Sequence, residues 1–472
     1  MPKAVKKSDS KPAEAPRQTV AERSAHGKSL RKETPRSSHG EWAPAKDRRD
    51  PVTLLEEQNA DRIPWLVPVR RGRMVASPFT FYRGAARIMA ADLASTPVSG
   101  LTVQACGDAH LSNFGVYASP ERRLVFDVND FDETLPGPWE WDLKRLATSF
   151  IIAGQHRGFD AKTCRVMAQA SVRGYREAMA KFAGMLTLDT WYAHLDIEDL
   201  QDLVAAQQTK KQRGKVQAGV KKIHSRDSLQ ELSKLAVEVD GQYRIKSDPP
   251  VLLPLSELPG KHDPDALAEQ LRAGFDQYRS SLDDAHRHLL DRFRPVEAAI
   301  KVVGVGSAGT RCLILLLEGR GTDDPLFLQF KEATTSVLAE FLEPSVYANE
   351  GQRVVEGQRF TQAVSDSFLG WAHIGAQDFY WRQLRDGKAS ADIDGADPAQ
   401  LQQYARLCGW TLAHAHARTG DAVAIAGYLG SSDVFDKALT RFAERYAKQN
   451  LQDYQAFKGE IEAGRLAADT TH

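Results

Sequence analysis

Cysteine is scarce in this chain: only four cysteines occur among 472 residues, and they lie far apart. No two of them form a Cys-x-x-Cys pair, so the sequence gives no sign of a structural zinc site or a disulfide framework. Few, unpaired cysteines are typical of proteins in a reducing compartment. We therefore expect a cytoplasmic protein.

Long apolar runs are missing as well. No run reaches the roughly 18 residues that a membrane-spanning helix needs, and no apolar segment follows the N-terminal lysines as a secretory signal requires. Neither charge is in excess, with 62 Lys or Arg against 62 Asp or Glu. We expect no membrane partner, and the whole chain has no electrostatic basis for binding nucleic acid.

Basic residues concentrate in two segments. Residues 1–50 hold 13 Lys or Arg and 7 Asp or Glu, a net charge of +6. Their composition predicts a disordered tail, with an arm that contacts nucleic acid or an acidic partner as the alternative. The second basic run, residues 209–226, predicts a solvated surface, with a phosphate- or substrate-facing role as the alternative.

Apolar spacing predicts both helices and strands, and hence an α+β protein. The predicted helical stretches are 51–58, 77–95, 139–155, 160–235, 263–293, 349–366 and the region from 397 onward. The predicted strands lie in 101–106, 113–119, 123–128, 299–320, 325–333 and 378–386.

Gly304, Gly306 and Gly309 match the pattern G-x-G-x-x-G, which cradles phosphates in two structural settings. In a dinucleotide-binding unit the loop opens a helix, whereas in a kinase it joins two antiparallel strands. Here the run LILLL follows the glycines and has the length and composition of a buried strand. The flanks therefore favour the kinase hairpin, with Ser307 inside the loop as a further phosphate contact.

Lys331 lies in the next predicted strand, where a kinase places the lysine that pairs with the α- and β-phosphates. An apolar strand tolerates a lysine poorly unless its ammonium group meets an anion. A kinase lysine also needs a helix glutamate as ion-pair partner. Glu340, Glu350 and Glu356 are the candidates, and we favour Glu356 because it lies inside a predicted helix.

The segment CGDAHLSNFG places Asn113 five residues after Asp108, the spacing of the base and the metal ligand in a kinase catalytic loop. A cluster of four acids follows at a strand end: Asp127, Asp130, Asp132 and Glu133. Carboxylates this close repel each other unless a cation lies among them. The sequence thus predicts a Mg²⁺ site, with a solvated acidic turn as the alternative.

These motifs resemble the aminoglycoside and choline phosphotransferase branch of the kinase-like superfamily. The matching segments are Cys106 to His110 with Asn113, then Asp130-Phe131, then Trp141-Asp142-Leu143. The resemblance implies Asp108 and His110 as catalytic residues, and Asn113 and Asp130 as Mg²⁺ ligands. This chain has Cys106 where that branch has histidine. Its stretch from Asn113 to Asp130 is also longer, which leaves Asp127 as a rival ligand.

Residues from about 40 to 460 also resemble a bacterial family known only as a domain of unknown function. The segments that carry this resemblance are FYRGAA, CGDAHLSNFG, NDFDETLPGPWEWDLKR, VGVGSAGTR and FYWRQLRD. It implies kinase-like ancestry without indicating a substrate. Arg83, within the first of these segments, is a candidate anion contact, although an arginine near a helix start is more often structural.

The order of the motifs departs from that of kinases, because the glycine-rich loop comes about 190 residues after the catalytic loop. A circular permutation reconciles the two orders. We expect a two-lobed kinase-like fold in which a small antiparallel-sheet lobe is inserted into a mainly helical lobe. Residues 51–295 would begin the catalytic lobe, 296–390 would form the ATP-covering lobe, and the helices of 391–472 would return to the catalytic lobe.

The expected function is phosphoryl transfer from ATP with Mg²⁺ to an acceptor, a small molecule or a protein, that the sequence does not identify. The alternatives are a nucleotide-binding pseudokinase, nucleotidyl transfer from the same site, an adaptor that uses the basic segments, and a metal-dependent hydrolase. His414 and His416, in a helix near the C-terminus, are further candidate ligands, although a structural role is more common for such residues.

Overall fold

The computed structural model describes residues 18–198, 228–258, 264–384 and 389–471. It is a mixed α+β protein with several antiparallel sheets, so the predicted class is confirmed. Within the described ranges no helix has the length and apolarity needed to cross a membrane. The basic run 209–226 lies outside the described residues.

The helices, numbered in chain order, begin and end as follows. They are α1 (Val20–Ser29), α2 (Pro51–Asn59), α3 (Val67–Val75), α4 (Pro78–Gly84), α5 (Ala86–Leu93), α6 (Trp139–His156), α7 (Ala161–Ala183), α8 (Thr187–Tyr192), α9 (Ser228–Leu235), α10 (Pro264–Ser281), α11 (Asp284–Leu290), α12 (Glu350–Thr361), α13 (Pro398–Thr419), α14 (Ala422–Leu429) and α15 (Val434–Glu462).

The strands are numbered in the same way. They are β1 (Thr102–Ala105), β2 (Phe114–Ala118), β3 (Leu124–Val128), β4 (Leu135–Pro138), β5 (Leu195–Asp196), β6 (Ala236–Val239), β7 (Gln242–Ile245), β8 (Leu252–Pro254), β9 (Arg294–Lys301), β10 (Cys312–Glu318), β11 (Pro325–Ala333), β12 (Gly370–Ile374), β13 (Gln377–Gln383) and β14 (Ala389–Ser390).

A six-stranded antiparallel sheet has the order β12-β13-β11-β10-β9-β8. Successive side chains of a strand point to opposite faces. Leu313 and Leu315 of β10 accordingly pack with Tyr278 of α10, while Ile314 packs with Leu232 of α9 on the other face. Burial on both faces explains why β10 has an uninterrupted apolar sequence.

The sheet also begins before the predicted boundary at residue 296, because β8 pairs with β9.

The largest hydrophobic cluster combines helices from both ends of the chain. Residues of α6 and α7 share it with residues of α13 and α15. The β2–β3 hairpin, predicted from the sequence, pairs antiparallel beside this cluster, with Gly115 opposite Asp127. Strand β1 pairs with β4, so the loop after β1 and the acidic segment before β4 lie near each other.

Residues 18–50 are folded, so the prediction of a disordered tail is wrong for this part of it. Helix α1 opens with a capping box between Thr19 and Glu22. Arg23 pairs with Asp421 at the start of α14 at 2.7 Å, and Arg31 donates to the Tyr428 carbonyl oxygen at 2.8 Å. The polar composition of this segment suggested disorder, but its arginines bind α14 and Asp421, the residue that precedes this helix.

Substitution of Gly27 tests the contact between α1 and α14. An alanine Cβ at Gly27 would lie 1.9 Å from the Ala424 carbonyl oxygen, so the two helices would have to move apart. We expect Gly27→Ala to reduce the free energy of unfolding by about 1–3 kcal/mol, as overpacking does. Thermal and urea unfolding would measure the change.

Gly459→Ala is the matched control, because a Cβ there has no heavy atom within 4 Å. Replacing a helix-interior glycine by alanine at an open position stabilises by about 0.5–1 kcal/mol. Equal stability of the two variants would show that α1 does not pack on α14 in solution.

Candidate functional site

A cavity of about 610 Å³ is lined by residues that are distant in the chain. Its walls come from the α2 to α5 region, from the loop after β1, from the acidic segment before β4, from the glycine-rich loop and from the end of β11. The candidate site residues that line it are Asp108, His110, Asn113, Asp130, Gly304, Gly306 and Ser307, together with Asp132 and Glu133 of the acidic cluster. Asp127, Gly309, Lys331 and Glu356 are not among the lining residues.

The loop after β1 is fixed by Asp142, which is buried near the start of α6. Its two carboxylate oxygens accept hydrogen bonds from the backbone N–H groups of Cys106, at 2.6 Å, and Gly107, at 2.9 Å. Gly107 has φ 79°, and a Cβ there would lie 2.4 Å from the Glu133 carbonyl oxygen. The loop conformation therefore requires glycine.

The two histidines of α13 have structural partners. His416 lies 3.2 Å from Asp142 through Nε2 and 2.9 Å from the Tyr175 hydroxyl through Nδ1. His414 contacts the Thr190 carbonyl oxygen at 3.1 Å. Neither histidine lines the cavity, so the geometry favours the structural interpretation over the ligand alternative.

Asp108, whose side chain is partly buried, forms an ion pair with buried Arg145 of α6 through its Oδ1 atom. Burial raises the pKa of Asp108 to about 7, and the Arg145 guanidinium offsets only part of that shift. His110 Nε2 lies 3.8 Å from Asp108 Oδ2, too far for a hydrogen bond. Burial also lowers the pKa of His110 well below its usual value, so this imidazole is neutral at pH 7.

Asn113 and Asp130 both line the cavity, whereas Asp127 lies in β3 outside it. The Asn113 amide nitrogen donates to the Asp108 carbonyl oxygen at 2.7 Å, which fixes the orientation of the amide. Asp127 accepts a hydrogen bond from the Val128 N–H at 2.8 Å. Of the two rival metal ligands, the geometry thus favours Asp130.

Lys331 is buried on β11, and its ammonium group pairs with Asp132 of the acidic segment. The other oxygen of Asp132 accepts a hydrogen bond from the Tyr380 hydroxyl at 2.7 Å, and Ser307 Oγ lies 3.3 Å from the carboxylate. Although burial opposes ionisation, Lys331 and Tyr380 hold the pKa of Asp132 below its usual value. Both members of the pair are therefore charged at neutral pH.

The predicted pairing of Lys331 with Glu356 is wrong, because Asp132 takes that place. Glu356 pairs with Arg359, three residues further along α12, at 2.9 Å. The other two candidates are also engaged elsewhere: Glu340 pairs with Arg49 and Arg87, and Glu350 pairs with Arg353.

The glycine-rich loop connects β9 to β10, which pair antiparallel as predicted. Residues near α3 hold this loop through its carbonyl oxygens. Arg73 donates to the Gly304 carbonyl oxygen at 2.6 Å, and the Ile63 N–H donates to that of Gly309 at 2.8 Å. Gly309 itself packs against the side chain of Arg62.

The described residues contain no group of three or more His, Cys, Asp or Glu side chains that could hold a metal ion. Mg²⁺ is commonly bound by one or two protein ligands together with substrate phosphates and water. Asn113 and Asp130 provide hard oxygen ligands on one cavity wall. The residues present therefore fit a Mg²⁺ ion that arrives with a phosphate ligand, but not a metal held by the protein alone.

The sequence did not indicate the individual roles of several residues of the site. Asp132 had a visible signal, since it belongs to the acidic cluster, but its partner is 199 residues away. Asp142 lies in a matched motif without an assigned role. Arg145 follows three residues later, on the adjacent turn of α6. Asp142 and Arg145 lie at i and i+3 on one face of α6. This spacing could have indicated that both side chains reach the same neighbouring segment.

These observations define an α+β protein with a charged cavity that is lined by carboxylates, arginines and a glycine-rich hairpin loop. The chain belongs to the family described as "Uncharacterized protein conserved in bacteria (DUF2252)", whose model matches residues 62–460. Comparisons with curated proteins and with solved structures gave no match.

Substitution of Asp142 tests how the loop after β1 is fixed. An asparagine can accept a hydrogen bond through only one of its two terminal atoms, so Asp142→Asn leaves one of the backbone N–H groups of Cys106 and Gly107 unsatisfied. We expect the free energy of unfolding to fall by about 1–3 kcal/mol. Urea denaturation would measure the loss.

Asp276→Asn, at an exposed position of α10, is the matched control and should change stability by less than about 0.5 kcal/mol. If the Asp142→Asn variant were as stable as this control, the loop would not depend on the carboxylate.

Proposed function

We propose that this protein is an ATP- and Mg²⁺-dependent phosphotransferase with a circularly permuted, two-lobed, kinase-like fold. One observation carries the proposal: Asp108, Asn113 and Asp130 line the same cavity as Gly304 and Ser307, although about 190 residues separate the two groups in the chain. A convergence of these residue types is what phosphoryl transfer requires.

The glycine-rich loop and Lys331 would bind the phosphates. Gly304, Gly306 and Ser307 of the loop line one side of the cavity, and Lys331 has a positive charge next to Asp132. Asn113 and Asp130 would hold Mg²⁺ through their oxygen atoms. Bound Mg²⁺·ATP would supply the phosphoryl group and the charge that neutralises it. The protein's part is then to position the reactants and stabilise the charge.

Asp108 would orient the acceptor hydroxyl and take its proton. Arg145 pairs with Oδ1 of this carboxylate, and Oδ2 would receive the proton of the acceptor. A pKa of about 7 suits a general base at neutral pH, because an appreciable fraction is ionised and still basic. His110 is neutral and does not hydrogen-bond to Asp108, and we give it no proton-transfer role.

The position of α13 supports the permutation. This helix ends at Thr419, and the Gln104 N–H of β1 donates to the Thr419 hydroxyl at 3.1 Å. The end of α13 therefore lies beside the strand that leads into the Asp108 loop. In the kinase order a helix runs directly into that strand, so a single break at this point accounts for the changed motif order.

Nucleotide binding is the first test of the proposal. Calorimetry should give a micromolar dissociation constant for Mg²⁺·ATP, about −8 kcal/mol. Lys331→Met removes a phosphate contact and Asp130→Asn removes the negative charge of a metal ligand, so each should weaken binding at least about tenfold. Asp127→Asn, outside the cavity, should retain the affinity and thereby identify which carboxylate binds the metal.

Lys437→Met is the control for charge removal, because Lys437 is exposed on α15. Circular dichroism would verify that each variant is folded. If the wild-type protein shows no Mg²⁺-dependent nucleotide binding, the proposal fails. Binding without any turnover would instead indicate a pseudokinase.

The pH dependence of turnover tests the role of Asp108. The base must be ionised to accept a proton, and its pKa of about 7 means that protonation removes it as the pH falls. Initial rates of Mg²⁺·ATP hydrolysis should therefore fall about tenfold per pH unit below that value and level off above it.

Asp108→Asn should abolish this dependence and slow hydrolysis while leaving nucleotide affinity unchanged. A rate that stays constant across pH 7 in the wild-type protein would exclude Asp108 as the base.

A further inference from the structure

We propose that Arg62, Arg70 and Arg83 form an anion subsite in the cavity, and that this subsite binds a phosphate group of the acceptor molecule. The assignment to the acceptor rests on the proposed phosphotransferase function. The existence of the anion subsite rests on the arginines alone.

The three arginines reach the cavity from neighbouring segments. Arg62 follows α2, Arg70 lies in α3 and Arg83 lies in α4, and all three line the cavity. The Nε atom of each is buried and has no hydrogen-bond partner among the described residues. Buried donors without partners are uncommon and costly, so three of them in one cavity wall call for a ligand.

The contacts of these arginines with the protein are to neutral oxygens. Arg62 donates to the Ala308 carbonyl oxygen at 2.6 Å. Arg70 donates to Asn59 Oδ1 at 2.8 Å and to the Gly84 carbonyl oxygen at 3.0 Å. Within the described part of the chain, no ion pair joins any of the three to a carboxylate.

Arg87 lines the same cavity but, unlike the three arginines of the proposed subsite, it forms direct ion pairs. Its guanidinium pairs with Glu57 and Glu340, both at 3.0 Å. The protein thus compensates Arg87 by direct ion pairs. Among the described residues, Arg62, Arg70 and Arg83 have no direct ion pair, and cavity carboxylates act on Arg62 and Arg83 only from a longer distance. A buried cation that lacks a counter-ion is destabilising, and an incoming anion would remove that cost.

Phosphate is the anion that fits this wall best. A guanidinium presents planar pairs of N–H donors that match the oxygens of phosphate, and it remains charged when buried. Several guanidiniums around one cavity suit a group with two negative charges. The nucleotide phosphates already have Lys331, the glycine-rich loop and a divalent cation in the proposed site, so the arginines are available for a second phosphate.

Arg83 places that second phosphate near the reacting centre. The carboxylates that act on its guanidinium are those of Asp108 and Asp130, the proposed base and metal ligand. An acceptor held by its phosphate at Arg83 would therefore have a hydroxyl group within reach of Asp108. The chemical class that follows is a small phosphorylated molecule with a free hydroxyl group.

Inorganic phosphate is the probe for the subsite. Titration into the full-length protein without nucleotide or divalent metal should give saturable binding and raise the melting temperature. Arg83→Gln should weaken phosphate binding at least about tenfold, because it removes a charged donor. This variant is preferred to one at Arg70, whose side chain also holds Asn59 and Gly84 in place.

Two variants serve as controls for the phosphate titration. Arg320→Gln removes an arginine that is 82% exposed and should leave phosphate binding unchanged. Lys437→Met removes a lysine that is exposed on α15 and should likewise leave phosphate binding unchanged.

Mg²⁺·ATP titrations of the same variants separate the two sources of phosphate. The proposal expects Arg83→Gln to retain nucleotide affinity within about threefold. A loss of tenfold or more would mean that the arginines hold nucleotide phosphates, and it would overturn the assignment to the acceptor.

The remaining outcomes are also decisive. If the wild-type protein binds no phosphate, or if Arg83→Gln binds it as well as the wild type, the anion subsite is refuted. If phosphate binds through Arg83 but Mg²⁺·ATP does not bind at all, the subsite stands, while the proposed function and the assignment to an acceptor both fail.

Discussion

The acidic segment 129–134 is the constraint on which the cavity depends, because it joins the six-stranded sheet to the helical core. From the sheet, Lys331 and Tyr380 hold the Asp132 carboxylate. From α12, buried Arg353 donates to the carbonyl oxygens of Asp132, at 2.9 Å, and Thr134, at 2.7 Å. Removing one member of such a buried network leaves a desolvated charge behind, which typically costs about 3–5 kcal/mol. The network therefore fixes where the sheet lies relative to the Asp108 loop.

The same segment explains why the lysine has an unexpected partner. Helix α12 carries Glu356, but the residue of this helix that reaches the site is Arg353, and it binds the acidic segment rather than Lys331. The anion for Lys331 then comes from the acidic segment itself. The arrangement still satisfies the buried ammonium group, which is the physical requirement that made Lys331 recognisable in the sequence.

Local patterns predicted the pieces of the site better than their pairings. The apolar run of β10 indicated a hairpin around the glycines, and the five-residue spacing of Asp108 and Asn113 indicated a loop, because both depend on neighbours in the chain. The Lys331–Asp132 pair spans 199 residues and leaves no local signal. Residues 18–50 were misjudged for a related reason: their polar composition indicates disorder, yet Arg23 and Arg31 bind α14 and its flanking residue almost 400 residues later.

The charged residues of the cavity fall into two groups, those in direct ion pairs and those without one. Asp132 is compensated by Lys331, and Asp108 by Arg145, so much of the acidic wall is balanced by cations of the protein. Arg62, Arg70 and Arg83, by contrast, have no direct ion pair among the described residues. Arg62 and Arg70 donate to neutral oxygens, and cavity carboxylates act on Arg62 and Arg83 only from a longer distance. Because a buried charge without a direct counter-ion is destabilising, leaving these arginines unpaired has an energetic cost. A cavity that keeps three of its arginines out of direct ion pairs would suit the proposed ligand, which carries several negative charges and arrives with a bound cation.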